Sequence, residues 1–380
     1  MSQRSGNAAL IGHKGGRRHI DTPALVLDLD AFEANLRIGH ELARSRGIAL
    51  RPHAKTHKCA TIGKAQMDAG AVGLCCAKLG EAEVMAEHGI DRLMLTSPVI
   101  GGAKIQRLLE LNGSIAELLL VVDDRANVVQ LAGAAAHAGQ HLKLLIDVDV
   151  GTHRFGVPSP EAALALAAEI ENLPALSLRG IQGYAGHVQS IQSYAERRTA
   201  SHAGLQALAR VRDALAENGH ACSIITGSGT GTFDFDHELG LFTDLQVGSY
   251  IFSDVIYDGI EQTPNGERRF VPALFVAARV VSRRQPGFAT IDAGSKSFSL
   301  DGPMPLLVDG PTPGSAYGRF GDEFGKLSLA GAGRQVALGE LTTWMVPHCD
   351  PTLNLHDYYV CVRGDEIVDL WPIEARGAAA

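Results

Sequence analysis

The sequence has no apolar run approaching the roughly 18 residues that a membrane-spanning helix needs. Its opening, MSQRSGNAAL, lacks the apolar stretch of a secretory leader. It has no C-x-x-C pair, and its six cysteines (Cys59, Cys75, Cys76, Cys222, Cys349, Cys361) are scattered over 380 residues. That pattern argues against a disulfide framework and suits a reducing, cytoplasmic setting. Basic charge is not in excess. The net charge is −8, which argues against nucleic acid as the main partner, because a phosphate backbone wants a basic footprint. Disorder is excluded as well, with 46% hydrophobic and 20% charged residues.

Against this acidic background one stretch stands out, RPHAKTHK at Arg51–Lys58, with three Arg or Lys and two His among eight residues. It needs a local reason. A solvated basic turn is the plain reading. A strand that carries one lysine into an active site is the functional one.

The chain around it is periodic. Short apolar runs recur at 49–55, 71–77, 92–97, 117–123, 142–150, 178–184, 222–227 and 245–252. Helical patterns lie between them at 80–90, 103–113, 126–139 and 159–173, the last opened by Ser159-Pro160 as cap and first turn. Eight apolar strands alternating with helices predict an α/β fold with an N-terminal (β/α)8 TIM-type barrel over 24–260. A doubly wound sheet usually has fewer repeats. Near residue 265 the character changes to strands broken by Gly and Pro, with no strong helix, which predicts a mainly-β C-terminal domain over 265–375. The early segment TPALVLDLDAFEANLRIGH holds one strand and one helix, and its strand is assignable to either domain.

Three constellations carry chemistry. In such a barrel, functional residues sit at the C-terminal ends of strands. Alternation along an extended 49–55 would put Arg51, His53 and Lys55 on one face. A basic inward row is costly unless something anionic or covalent meets it, and a Schiff-base lysine would satisfy that condition. The second is ITGSGTGTF (Ile225–Phe233), with Thr226, Gly227, Gly229, Thr230 and Gly231 after the seventh strand, followed by Gly248, Ser249 and Tyr250 after the eighth. Glycine-freed backbone N–H groups and hydroxyls make an anion cradle, and no G-K-[ST] follows to make it a Walker loop. The third is VPHCDP, where His348 and Asp350 flank Cys349. On an extended segment His348 and Asp350 would share a face suited to a divalent ion, with Cys349 turned away.

Together RPHAKTHK, DVDVGTHRFGV, TGSGTG, LQVGSY and the His-x-Asp pair, in that order over nearly the whole chain, resemble the D-threonine aldolase and D-serine dehydratase family. That family comprises pyridoxal-phosphate enzymes of alanine-racemase-like fold. The resemblance implies that Lys55 bonds the cofactor and that Arg154 lies near its phenolic oxygen. It implies that Thr226, Gly229, Thr230, Gly231, Gly248, Ser249 and Tyr250 take the phosphate side, and that Tyr184, Gln189 and His187 line the cofactor and substrate space. It makes His348 and Asp350 the metal ligands and leaves metal-bound water, His187 or Asp322 for the hydroxyl proton. Phe324 stands where relatives carry a histidine, and Gln246 where racemases carry an arginine facing the pyridine nitrogen. The ligand pair separates the reactions: dehydratases show His-x-Cys, aldolases His-x-Asp. The expectation is therefore a lyase cleaving D-3-hydroxy-amino acids to glycine and an aldehyde, with Mn²⁺ first and Mg²⁺, Co²⁺ or Zn²⁺ as other ions, in a homodimer. A D-serine or 3-hydroxy-D-amino acid dehydratase is the alternative, and a pyridoxal-phosphate binding protein without turnover is a second.

Overall fold

A computed structural model describes residues 6–310, 314–331 and 336–380. The chain forms two compact units: Met1–Ile38 with Ser249–Gly259 and Arg268–Arg376, and Gly39–Gly248 with Ile260–Glu267 and Gly377–Ala380. The N-terminal strand β1 (Ala24–Asp28) is followed by helix α1 (Leu29–Ser45).

The second unit is the barrel. Its strands and helices alternate as β2 (Ala49–Leu50), α2 (Ala60–Asp68), β3 (Leu74–Cys76), α3 (Leu79–Glu87), β4 (Arg92–Leu95), α4 (Gly102–Ser114), β5 (Glu117–Val122) and α5 (Arg125–His137). They continue as β6 (Leu142–Asp147), α6 (Pro160–Glu171), β7 (Leu176–Gly183), α7 (Tyr194–Glu217), β8 (Ile224–Gly227) and β9 (Asp244–Leu245). The eight strands pair in parallel in the order β2-β9-β8-β7-β6-β5-β4-β3, and a parallel bridge between His53 and Cys75 closes the ring. Six of the expected apolar runs hold one shorter strand each, whereas β7 begins two residues before its run and β9 meets the run 245–252 only at Leu245. The strands read as unbroken apolar sequence because helices cover the outside and side chains fill the inside. Cys75, Met94, Leu119, Val121 and Leu145 make a buried cluster there. Helix starts follow local chemistry: Ser159 Oγ accepts from Ala162 N–H, and Asp124 from Ala126 N–H at 2.7 Å. Each cap is worth about 1 kcal/mol.

The first unit is built on a mostly antiparallel sheet. After α8 (Val255–Asp258) come β10 (Leu274–Ser282), β11 (Phe288–Ile291), β12 (Leu306–Asp309), β13 (Ala316–Arg319), β14 (Gly325–Ser328), β15 (Leu341–Met345), α9 (Cys349–Leu353), β16 (Tyr358–Arg363) and β17 (Glu366–Pro372). The order is β13-β14-β11-β10-β1-β16-β17, with β15 also on β10 and β12 on β15. β1 lies between β10 (antiparallel) and β16 (parallel), so the N-terminal strand belongs to this sheet, and a barrel start at residue 24 does not match it. Its two buried faces explain why ALVLD carries no alternation. The segment Ser249–Gly259 also joins this unit, whereas the expected boundary placed it in the barrel. Among the described residues no helix is long and apolar enough to cross a membrane.

Candidate active site

The ladder of β2 continues past Leu50, with Arg51 N–H donating to Leu245 and His53 N–H to Val247. It does not continue to Lys55. His53 Nδ1 accepts from Lys55 N–H, and Ala54–Thr56 turns as a 3-10 helix. The expected strand alternation therefore reaches His53 and fails for Lys55. The three cations of the stretch have different fates. Buried Arg51 pairs with Asp244 (Nε–Oδ1 3.3 Å), and Lys58 pairs with Glu81 at 3.2 Å. Arg51 is thus compensated inside the barrel through Nε, while its buried Nη1 has no hydrogen-bond partner among the described residues. His53 Nε2 meets Thr96 Oγ1 at 3.1 Å. Lys55 Nζ stands 6.0 Å from the centre of the Tyr184 ring.

Arg154, Tyr184 and His187 lie on the loops after β6 and β7. The Arg154 guanidinium sits 4.3 Å over the Phe155 ring, and Arg154 and Tyr184 line one small cavity with Asp147, Asp149, Thr152 and Gln182. His187 is exposed, and a Cβ added to Gly151 (φ +110) would lie 3.1 Å from its ring. Beneath runs a buried polar chain. Gln182 Nε2 donates to Asp147 (2.8 Å), and Gln246 Nε2 donates to Gln182 Oε1 (3.0 Å) and to Thr226 Oγ1 (3.1 Å). Thr226 in turn donates to Asp244 at 2.6 Å. Thr226 is therefore committed to the barrel interior, and its hydroxyl is not left for a phosphate.

Burial pushes the Asp147 carboxyl up to about 7, against the hydrogen bond from Gln182, with Asp123 adding to the rise and Arg154 opposing it. A carboxyl raised in the folded state keeps its proton where the unfolded chain has lost it. Its contribution to stability therefore falls as pH climbs from about 4 to about 7. Asp147→Asn should remove that slope from the melting temperature of the cofactor-free protein. His40, lowered to about 4 by burial and by Arg44, adds an opposite slope below its ordinary value in both proteins. An unchanged pH profile in Asp147→Asn would count against this assignment.

The glycine-rich loop is held from behind. Gly231 N–H donates to Gln189 Oε1 (2.9 Å), and Gln189 Nε2 donates to Thr232 Oγ1 (3.2 Å) and Ala185 O (3.3 Å). Gln189 is buried, so the expectation that it lines the substrate space gives way to a supporting role. A Cβ on Gly229 would lie 2.5 Å from Gln189 Oε1, and one on Gly248 2.3 Å from Thr56 Oγ1, so only glycine allows these approaches. The buried hydroxyls of Thr230 and Thr56 have no hydrogen-bond partner among the described residues. An unpaired buried hydroxyl costs free energy unless a ligand meets it.

In the β-rich unit, buried Ser249 and Tyr250 open the turn Ser249–Ile251, and Tyr250 packs edge-on against Phe270 at 5.7 Å. His348 caps α9, so His348-Cys349-Asp350 enters a helix and does not follow the extended register expected. The helix N-terminus, not strand alternation, decides where each side chain goes. His348 Nδ1 meets Asp301 Oδ2 at 2.8 Å. Cys349 is buried, its N–H donates to Asp254 at 2.8 Å, and burial pushes its thiol well up, with Asp254 and Asp350 adding to the rise. Asp350 lies in the first helical turn and is half-buried. Sequence reasoning missed Asp301 and Asp254, which lie 47 and 95 residues from the groups they meet, beyond any motif spacing. Asp322 is exposed and accepts from Ser295 (3.3 Å) rather than meeting His348. Phe324 is exposed too. Among the described residues no group of three or more His, Cys, Asp or Glu is arranged to hold a metal.

Two family models match. The N-terminal domain of alanine racemase covers residues 27–255, and a serine dehydratase domain covers 273–362. A D-threonine aldolase from Arthrobacter sp. is 39% identical over 94% of this chain and 93% of its own. The chain belongs to the D-threonine aldolase family. The likeness to this family extends to structure: a D-threonine aldolase from Filomicrobium marinum superposes with a TM-score of 0.92 at 37% identity, covering 96% of this chain and 98% of that one. A 3-hydroxy-D-aspartate aldolase from Paracoccus denitrificans is 35% identical over 94% of this chain and 92% of its own. Membership brings the alanine-racemase-like fold, a parallel barrel of eight strands with a mainly-β domain, and the class of carbon–carbon lyases. It also supports pyridoxal phosphate as cofactor. The residues present fit that group: the orphaned Thr56 and Thr230 hydroxyls sit beside glycines that a Cβ would block, and Lys55 directly precedes Thr56 in the same turn.

Proposed function

We propose that this protein cleaves D-3-hydroxy-amino acids of the D-threonine, D-allo-threonine or D-phenylserine type to glycine and an aldehyde, using pyridoxal phosphate and a divalent metal ion, Mn²⁺ first. One observation carries the choice of reaction: two residues past His348 stands a carboxylate, Asp350, while the thiol between them is buried and donates to Asp350 Oδ1 at 3.4 Å. A soft thiolate ligand of the dehydratase kind is not offered, and the dehydratases are the more distant relatives.

Bound pyridoxal phosphate supplies an electron sink for the pair left on Cα when Cα–Cβ breaks. Lys55 provides the amine that bonds its carbonyl carbon. Thr56, Thr230 and the backbone at Gly248 and Ser249 take its phosphate, and Tyr184 and Arg154 flank it. His348 and Asp350 are the residues that would hold a divalent metal ion, which would supply Lewis-acid assistance to ionisation of the substrate's β-hydroxyl. Asp301 supports that role. By accepting the Nδ1 proton of His348 it leaves the Nε2 lone pair for a ligand, the usual second partner of a metal-binding histidine. His187, exposed on the loop after β7, is assigned to the substrate side.

Incubation with D-threonine and with D-serine decides the reaction. Acetaldehyde and glycine are expected from D-threonine. Pyruvate or another keto acid in their place would assign the protein to the dehydratases.

A homodimer is part of this reading. It is supported by exposed apolar side chains on the β-rich unit, among them Met304, Leu306, Val308, Phe320 and Phe324. Sedimentation at micromolar concentration should give twice the chain mass, and a concentration-independent monomer with full activity would overturn it. None of the six cysteines is in a disulfide, which supports a cytoplasmic location.

A further inference from the structure

Arg197, on α7, is completely buried. Its guanidinium donates only to backbone carbonyls: Nε to Gly231 at 2.6 Å, Nη1 to Gln192 at 3.1 Å and to Ile191, and Nη2 to Glu261. Among the described residues no carboxylate is within ion-pair distance of it. The acids nearest to it are otherwise engaged. Asp234 pairs with Arg46 at 2.7 Å and accepts from Tyr194 Oη at 2.9 Å, and Glu261 accepts from Tyr194 N–H at 2.8 Å. The rings of Tyr194 and Phe235 lie 5.9 and 6.0 Å from the guanidinium carbon and keep water away. A buried cation held by carbonyl dipoles alone is costly, because dipoles return only part of the lost hydration.

The place of this cation is specific. It bonds the carbonyl of Gly231, in the middle of the loop whose Thr230 hydroxyl is buried without a partner. On the other flank of the loop, Asp236 accepts from Ser201 Oγ at 2.7 Å, and burial favours its neutral form against hydrogen bonds from Thr232 and Ser228. The loop therefore has a permanent positive charge behind it and an acid that burial discourages from ionising. Phosphate loops usually rely on backbone N–H groups and a helix N-terminus. Here Gly231 N–H is already spent on Gln189, and Gly229 N–H points to Thr232 Oγ1 at 3.2 Å. Fewer backbone donors remain, so charge has more to supply.

We propose that Arg197 is a positioning residue that supplies the charge for the phosphate monoester of the cofactor from behind the loop, without touching it. Its four carbonyl bonds fix the loop Gly229–Thr232 against the segments 191–192 and 261, and a dianion in front of the loop offsets its charge through the low-dielectric backbone layer. This rests on the pyridoxal-phosphate reading above.

The test compares pyridoxal phosphate with pyridoxal, which lacks the phosphate but keeps the carbonyl. Dissociation constants are read by absorbance titration of the full chain for the wild type, Arg197→Lys and Arg197→Gln. The wild type should prefer pyridoxal phosphate. Arg197→Gln should lose at least about tenfold of that preference, by weakening pyridoxal phosphate while leaving pyridoxal unchanged. Arg197→Lys keeps the charge and should stay within about threefold of the wild-type preference. A merely structural arginine would weaken both ligands together, and that result overturns the proposal. So does an undiminished preference in Arg197→Gln, or a loss in Arg197→Lys as large as in Arg197→Gln. If Arg197→Gln is not recovered folded, Arg197→Lys still decides, because a Lys variant without the preference contradicts a role for charge. A wild type with no preference for pyridoxal phosphate would instead refute the cofactor reading, whatever the variants do.

Discussion

Lys55→Ala should remove the covalent attachment of the cofactor and lower cleavage of D-threonine at least about a thousandfold. The purified wild type should be yellow, and borohydride should fix the cofactor to the peptide that contains Lys55. The expectation follows from where RPHAKTHK places its cations. Arg51 is compensated by Asp244 and Lys58 by Glu81. Lys55 sits between them in a turn fixed by the His53 imidazole, with its amine 6.0 Å from the Tyr184 ring centre. Lys58, at the end of the stretch, supplies the control. Lys58→Ala breaks a largely buried pair with Glu81, so it should lower stability by about 3–5 kcal/mol yet leave the reducible bond in whatever protein remains folded. The opposite pattern, with the bond lost in Lys58→Ala and kept in Lys55→Ala, would move the assignment to the wrong end of the stretch.

Removal of metal should abolish cleavage and leave the colour. The two effects separate because the cofactor depends on Lys55 and the phosphate-side residues, whereas the ion depends on His348 and Asp350. Mn²⁺ added back should restore activity. His348→Ala and Asp350→Ala should each behave like the chelated protein. Asp301→Asn should weaken Mn²⁺ binding by about 10–100-fold, the range for removing a carboxylate that orients a metal-binding histidine. Manganese paramagnetic resonance reads this directly, without reference to turnover. Cys349→Ala should bind metal as the wild type does, because the thiol is buried and already engaged with Asp350. If Cys349→Ala loses the metal while Asp350→Ala keeps it, the site is of the histidine–thiolate kind and a keto acid is the product to expect.

Much of the architecture was legible in the chain because its signals are local. A parallel strand covered on both faces must be apolar along its length, and a helix must repeat every three to four residues, so the strand runs and four of the six helices between them could be placed from periodicity. The cap at Ser159-Pro160 is equally local and appears where expected. Strand ends were less legible. The 49–55 run is extended only as far as His53, because the His53 imidazole competes for Lys55 N–H and turns the chain. The His-x-Asp register failed for a similar reason: a polar segment of a few residues has no period to reveal whether it is strand or helix.

The sequence by itself determined that this is a barrel followed by a β domain, that a lysine and two glycine-rich loops stand at strand ends, and that His348 and Asp350 are close neighbours. Only the tertiary structure decided which charges are available. Asp244 is 193 residues from Arg51, and Asp301 is 47 from His348, so no spacing in the chain announces either pair. It also decided that β1 is a central strand of the β sheet, since strand partners are chosen by which faces need burying. Arg197 shows the same limit. In the sequence it is one arginine in YAERRTASH, and its neighbour Arg198 is a surface residue paired with Glu238. Helical rotation turns one side chain to solvent and the other under the glycine loop, and the cost of burying a charge makes the second one informative.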